Sequence, residues 1–193
     1  MNNNFVHLHC HDEFSLLDGF GKPEHYAAQA KKLGFEYLAI TNHGNVDGLI
    51  KFQQACEDES ITPIHGAELY IVENINKKIR GEKRKHITLL VKEETGWNNL
   101  LKMLTIANMD GHFYRPRIDP KTLLNHLDGL VVMTACTSSF ITSDWGLTLF
   151  EDLMNKIPHD LYLEIMPHDY DEQKSLNRFC VDISKDHNIK LVA

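Results

Sequence analysis

Apolar positions along this chain follow two alternating rhythms. Short unbroken runs read as strands buried on both faces: YLAIT at Tyr37–Thr41, ITLLV at Ile87–Val91, LVVMT at Leu130–Thr134 and LYLEI at Leu161–Ile165. Between and around them lie stretches with helical spacing: Pro23–Leu33, Val46–Glu57, Thr95–Met109, Leu147–Lys156 and Asp171–His187. The first of these has proline in its opening turn and Gly34 just past its end, the punctuation of a helix. Phe5–His9 reads as an N-terminal strand and Ile61–Val72 as a longer strand region. Glu73–Lys85 is polar and basic, hence a loop or hairpin tip, and Ile189–Ala193 begins one more strand. Repeated strand–helix units with buried strands predict an α/β fold with a parallel sheet, and about seven units favour a closed TIM-like barrel over an open sheet. In such barrels the chemistry sits at the C-terminal ends of the strands.

A length of 193 residues suits one domain with a sizeable core. Hydrophobic content of 42% with 24% charged residues is that of an ordinary globular protein. No run of about 18 apolar residues marks a membrane span. The start, MNNNFVHLH, lacks the charged and apolar regions of a signal peptide, so a cytoplasmic location is expected. Cys10, Cys56, Cys136 and Cys180 form no C-x-x-C pair, which argues against a zinc knuckle or a disulfide framework. A net charge of −7 argues against an autonomous nucleic-acid binder and suits a carrier of cations. Twelve histidines are the one feature that this composition leaves to be explained.

Their placement supplies a chemistry. In FVHLHCHDEFSLLDG, His7, His9 and His11 occupy alternate positions, so a strand would turn all three imidazoles to one side. Asp18 follows in a loop before Gly19. Elsewhere, polar residues fall at the ends of predicted strands: Asn42 and His43 after YLAIT, Glu68 after Gly66, His86 at the start of ITLLV, and Cys136 after LVVMT. Singly, each has an ordinary role: His43 in a turn, Glu68 as a solvated charge, His86 as a strand cap, Cys136 as a small buried hydrophobe. Together they make a His, carboxylate and thiolate set that suits Zn²⁺, Mn²⁺ or Fe²⁺ better than Mg²⁺ or Ca²⁺. The set exceeds the four ligands of a structural zinc site, so a cluster of two or three divalent ions is expected, of the kind that hydrolyses esters of phosphorus.

At these residues the chain resembles the PHP (polymerase and histidinol phosphatase) domain family, over nearly its whole length. The likeness rests on FVHLHCHDEFSLLDG, LAITNHGNVDGLIKF, PIHGAELYI, HITLLVKEETGWNNLLKM, YRPRID at Tyr114–Asp119, and LYLEI. GWNNLLKM and YRPRID resemble the branch that forms the N-terminal domain of the bacterial DNA polymerase III alpha subunit. The resemblance implies a distorted (βα)7 barrel of the PHP type and a single domain over 1–193, the N-terminal part of a longer polymerase. It assigns metal ligands to His9, His11, Asp18, His43, Glu68, His86 and Cys136, with His7 and Asn42 in supporting places. Arg117, and Arg115 beside it, become candidates for gripping a phosphate. Implied partners are DNA, met through the parent polymerase, and a proofreading or clamp subunit, with no membrane.

Three departures qualify the likeness. The family motif T-D-H is here Thr41-Asn42-His43, the stretch from Cys136 to Leu161 is shorter than in typical polymerases, and the final Asp and His motif expected after IKLVA lies beyond Ala193. The domain is therefore expected to be truncated at its last strand. The primary expectation is a domain of a nucleotidyltransferase with its own metal-dependent phosphoesterase or 3′→5′ exonuclease chemistry. The alternatives are a catalytically weak docking module of the polymerase and a free-standing phosphatase for a small phosphomonoester. Lesser signals have ordinary readings: the basic run Lys77–Lys85 as a solvated loop, Trp97 and Phe113-Tyr114 as anchors more than base-stacking platforms, and Cys10, Cys56 and Cys180 as structural.

Overall fold

A computed structural model describes residues 5–193; the first four residues of the expected domain lie outside the described ones. Helix α1 (Pro23–Leu33) starts on its proline and ends at Gly34, whose φ of 78° lets its N–H turn back to the carbonyls of Ala30 and Lys31. Glu24 in the first turn and Lys31 and Lys32 in the last complement the helix dipole. The last helix, α6 (Asp171–His187), stops at Asn188, which takes the left-handed conformation that asparagine tolerates. Both helices have the bounds read from the sequence, the first from its punctuation and the last from its helical spacing.

The strands form one curled sheet in the order β1 (Tyr37–Ile40), β2 (Thr62–Ile71), β3 (Lys85–Val91), β5 (Leu130–Met133), β6 (Leu161–Glu164) and β7 (Lys190–Val192). A two-residue β4 (Arg117–Ile118) pairs with the end of β2. Helices α2 (Leu49–Asp58), α3 (Glu94–Met109) and α5 (Asp144–Lys156) lie where helical spacing placed them. The short α4 (Pro120–Leu124), capped by Asp119 Oδ1 accepting from Thr122 N at 2.9 Å, escaped the sequence reading, as did β4.

Two expectations are corrected. The sheet is mixed: β3 runs antiparallel to both β2 and β5, whereas the other pairings are parallel. No helix spans residues 73–84, so the chain leaving β2 turns back as a hairpin without making a crossover. Second, Phe5–His9 is not a full strand. It meets β1 at the isolated bridge His7 to Leu38. At Cys10 the Thr41 N–H donates to the carbonyl at 2.8 Å while the Thr41 hydroxyl, in place of a ladder carbonyl, accepts the Cys10 N–H at 3.0 Å.

The main core lies between the sheet and α3, α5 and α6, with Leu69, Leu89, Leu100, Met103, Leu153 and Leu163 at its centre. A second core, around Phe52 and Cys56, joins α1 and α2 to β1. On the concave side Ala39, Leu90 and Met133 pack with Leu8, Val131 and Val192 as a small inner cluster. The result is a half-barrel. A cleft of about 270 Å³ is lined by the Phe5–His9 segment, Glu164 and the end of β7. Among the described residues no helix is long and apolar enough to cross a membrane.

Candidate metal centre

Three segments deliver four imidazoles to one buried carboxylate. Glu68 is 1% exposed and sits on β2 opposite Thr88 of β3. Its Oε2 lies 3.4 Å from His9 Nε2, 3.2 Å from His11 Nε2 and 2.9 Å from His43 Nδ1, while Oε1 lies 3.0 Å from His86 Nδ1. The reversal of β3 explains how His86 joins. Its position at the start of an antiparallel strand is level with the C-terminal ends of the parallel neighbours, opposite Tyr70. His43 follows β1 and is held beside Glu68 by a bridge in which the Gly44 N–H donates to the Glu68 carbonyl at 2.9 Å. Gly44 has φ 65°, and a Cβ there would stand 2.9 Å from Pro116 Cγ, so glycine is needed twice over.

Asp18 arrives on a tight loop. Ser15 N donates to Asp12 O, and Asp18 N and Gly19 N both donate to Ser15 O. A Cβ on Gly19 would stand 1.8 Å from Asp12 O, so the loop closes only around glycine. Asp18, half exposed, thereby places Oδ2 3.3 Å from His43 Nε2. The loop presents Leu16, Leu17 and Phe20 to solvent, Leu17 at φ 70° and fully exposed.

Electrostatics follow from this crowding. Burial alone would raise the Glu68 pKa, but the imidazoles of His11, His43, His86 and His9 crowded around it hold it well below the usual carboxylate range. Burial opposes charge on His9, and the carboxylates of Glu164 and Glu68 outweigh it, so its pKa stands well above the ordinary imidazole value. His86 is likewise opposed by burial and raised, by Cys136 and Glu68, to about 9.

The donor set passes a test for fit to metal ions. Glu68 Oε2 and His43 Nδ1 are buried and 2.9 Å apart, yet neither has a hydrogen-bond partner of acceptable geometry. Buried polar atoms that converge without bonding one another are an expensive arrangement unless a cation sits between them. Three groups offer ligand atoms within 4.8 Å of one another: His9, His11 and Glu68; His11, Asp18 and His43; His43, Glu68 and His86. Nitrogen and carboxylate donors in these combinations suit Zn²⁺, Mn²⁺ or Fe²⁺.

Of the expected residues, His9, His11, Asp18, His43, Glu68 and His86 meet in these groups, and Cys136 stands at their border. Its Sγ lies 4.0 Å from His86 Nδ1 and 3.5 Å from the Ser138 N–H, outside the three groups formed by the described residues. His7 does not converge with its neighbours; it is exposed and meets Phe5 edge-on. Asn42 is buried beneath the cluster, where its amide pairs with Asp12 and Ser15. Arg117 is not available as a phosphate clamp. It is 1% exposed, and its nitrogens are spent on the carbonyls of Gly111, Ile75 and Lys77 and on Glu82. Exposed Arg115 instead lines a cleft of about 540 Å³ with His43, Tyr70 and Lys51. A second cleft, of about 520 Å³, lies beside His86 under Lys83, Arg84 and Lys85.

Sequence reasoning missed Glu164, whose Oε1 lies 2.6 Å from His9 Nδ1. The available signal was a lone carboxylate in the apolar run LYLEI. Tyr70, stacked on His43 with ring centroids 5.5 Å apart, was likewise read only as part of a strand.

Known proteins place the chain in context. It is 35% identical over 203 residues to the DNA polymerase III subunit alpha of Borreliella burgdorferi, covering 99% of this chain and 18% of that protein. The corresponding subunit of Aquifex aeolicus is 33% identical over 213 residues, with 100% of this chain and 18% of that protein covered. The chain thus spans about a fifth of the length of these relatives. Among solved structures, a protein from Bifidobacterium adolescentis assigned as a metal-dependent phosphoesterase superposes with a TM-score of 0.61 at 16% identity, covering 96% of this chain and 85% of that one. That likeness carries the fold. A family model for the PHP domain matches residues 7–168, and the chain, with its curled sheet and histidine-ringed carboxylate, belongs to the PHP domain family.

Proposed function

We propose that this chain is the PHP domain of a bacterial replicative DNA polymerase III alpha subunit, and that its cluster binds two or three divalent ions and hydrolyses phosphoesters, with 3′ ends of DNA as substrates. The observation that carries the reading is the convergence of four imidazoles on one buried carboxylate whose Oε2 lacks a hydrogen-bond partner. The bound ions, Zn²⁺, Mn²⁺ or Fe²⁺ by the chemistry of the donors, would polarise phosphoryl oxygens and activate water. His9, His11 and Glu68 hold one position, and Asp18 and His43 a second. Glu68 Oε1 and His86 hold a third, with Cys136 at its edge. Asp18, half exposed, faces arriving substrate. Arg115, across the cleft from His43, binds the phosphate oxygens, in place of the enclosed Arg117. DNA would be met through the rest of a cytoplasmic polymerase, with a proofreading or clamp subunit as neighbour.

The test is elemental analysis of protein purified without chelator, followed by hydrolysis assays on bis-p-nitrophenyl phosphate, p-nitrophenyl phosphate and a single-stranded oligonucleotide. Two or three ions per chain, diester cleavage and loss of both in Glu68→Gln are expected. A chain that takes up no metal, or a Glu68→Gln variant that keeps full metal content, overturns the reading. Preference for the monoester would replace DNA by a small phosphorylated metabolite. Metal binding without hydrolysis would leave a docking module.

A further inference from the structure

The buried polar atoms next to the cluster form two hydrogen-bond chains that end on imidazoles. One begins at Asp12, whose Oδ1 accepts from Asn42 Nδ2 at 2.7 Å. Asn42 Oδ1 accepts from Asp12 N and from the Ser15 hydroxyl, both at 3.0 Å, so the orientation of the amide is fixed from both ends. The single proton of the Ser15 hydroxyl is thus committed to Asn42, and one lone pair receives the His43 backbone N–H at 2.9 Å. The remaining contact, with His11 Nδ1 at 3.3 Å, requires the ring to donate. The second chain is shorter. Glu164, whose backbone N–H is held by the Thr134 hydroxyl at 2.9 Å, places Oε1 2.6 Å from His9 Nδ1. A carboxylate accepts, so His9 also carries its proton on Nδ1.

Both chains therefore leave Nε2 as the inward-facing nitrogen. His9 Nε2 and His11 Nε2 lie 3.2 Å apart, and Glu68 Oε2 stands 3.2 Å from His11 and 3.4 Å from His9. Once Nε2 of His9 is deprotonated, three lone-pair atoms stand at the corners of so small a triangle, an arrangement that a cation at its centre satisfies. We propose that Glu164 and the Asp12–Asn42–Ser15 chain are positioning residues that hold His9 and His11 in the Nδ1–H form, dedicating both Nε2 atoms and Glu68 Oε2 to one divalent ion. The proposal rests on the reading that the cluster binds metal, and it is independent of what is hydrolysed. It also gives Asn42 a task that an ionised aspartate cannot perform, since a carboxylate accepts from Ser15 but has no proton to donate to Asp12.

The decisive measurement is Zn²⁺ affinity by competition with a chromophoric chelator, on wild type and on Glu164→Gln, Glu164→Ala and Ser15→Ala. Long-range ¹⁵N–¹H spectra of the imidazoles in the Zn²⁺-loaded wild type accompany it. Each alanine variant should weaken the tightest-affected site about 10- to 100-fold. Glu164→Gln should fall between wild type and alanine, because its amide oxygen still accepts from Nδ1. The spectra should show protons on Nδ1 of His9 and His11. Unchanged affinity in folded variants, or protons found on Nε2, overturns the proposal. The spectra need no substitution, so variants that fail to fold do not shelter it. A wild type that binds no Zn²⁺ overturns both this inference and the reading beneath it; equal binding by wild type and variants overturns this inference alone.

Discussion

Glu68 and Arg117 invite comparison because they are charged, equally buried at 1% exposure, and carried on the paired strands β2 and β4. Around Arg117 the partners are saturating: three backbone carbonyls and one carboxylate receive the guanidinium, and Phe113 covers it with its ring centroid 5.3 Å from Cζ. Around Glu68 the neighbours are closer in number than in geometry, with Oε2 surrounded by three imidazoles and bonded properly to none. A buried charge whose bonds are complete tells of architecture. A buried charge among misaligned donors tells of something still to be bound.

The sharpest way to break the comparison is to remove each side of it. Arg117→Met should cost about 3–5 kcal/mol in urea unfolding, because Glu82 and three carbonyls lose their donor. Zn²⁺ bound per folded molecule should stay at the wild-type level. If metal content falls with Arg117 while stability holds, the two roles have been exchanged.

Titration comes next in size. In metal-free protein the raised pKa of His86, about 9, gives stability that is complete below the unfolded value of 6.5 and is lost as pH rises through 9. His9, also raised, acts in the same sense. Urea midpoints measured at pH 6.5 and 8.5 should therefore fall with increasing pH, by up to about 3 kcal/mol over the full window. Glu68, whose pKa is depressed, acts at the other end: its contribution is present above the ordinary carboxylate range and disappears as pH falls below it. Arg117 stays protonated throughout and adds no slope. A flat profile between pH 6.5 and 8.5 would mean that the imidazoles do not share their charge with Glu68.

Asn42→Asp should cost about 1–3 kcal/mol, by replacing the 2.7 Å donor to Asp12 with a second carboxylate. Adding Asp12→Asn should recover most of that loss, and failure to recover it would show that charge at position 12 is not the cause. Smallest in stability is Arg115→Ala, within about 0.5 kcal/mol because the side chain is exposed. Its effect belongs to catalysis: a KM for bis-p-nitrophenyl phosphate raised about tenfold, as expected for one lost charge-assisted contact, with kcat little changed.

The sequence revealed most where local chemistry is self-sufficient. Pro23 with Gly34 carries its own boundaries, the spacing of Asp171–His187 carries those of α6, and the alternating histidines pointed to the cluster around Glu68. Strand direction was not legible, since an apolar run such as ITLLV reads alike in a parallel or an antiparallel pair. Burial of Arg117 was equally hidden, because a two-residue strand has no periodicity and its partners come from residues 75 to 111. Phe5–His9 alternates as a strand should, but the Thr41 hydroxyl takes the place of a ladder carbonyl at Cys10. Glu164 went unassigned because its partner His9 lies 155 positions earlier in the chain.

The open side of the half-barrel gives these contacts a mechanical meaning. His9 belongs to a segment that meets the sheet at the His7 bridge and the Cys10–Thr41 contacts, and Glu164, bonded to His9, lies on β6. An ion shared by His9, His11 and Glu68 would clasp that segment to the middle of the sheet and, through Glu164, to its far side, closing loops of widely different length in one event. Its binding energy would then be spent partly on curvature. A chain stripped of metal would loosen first at its beginning, so hydrogen exchange along residues 5–11 would gauge occupancy of a site whose other ligands stay in place.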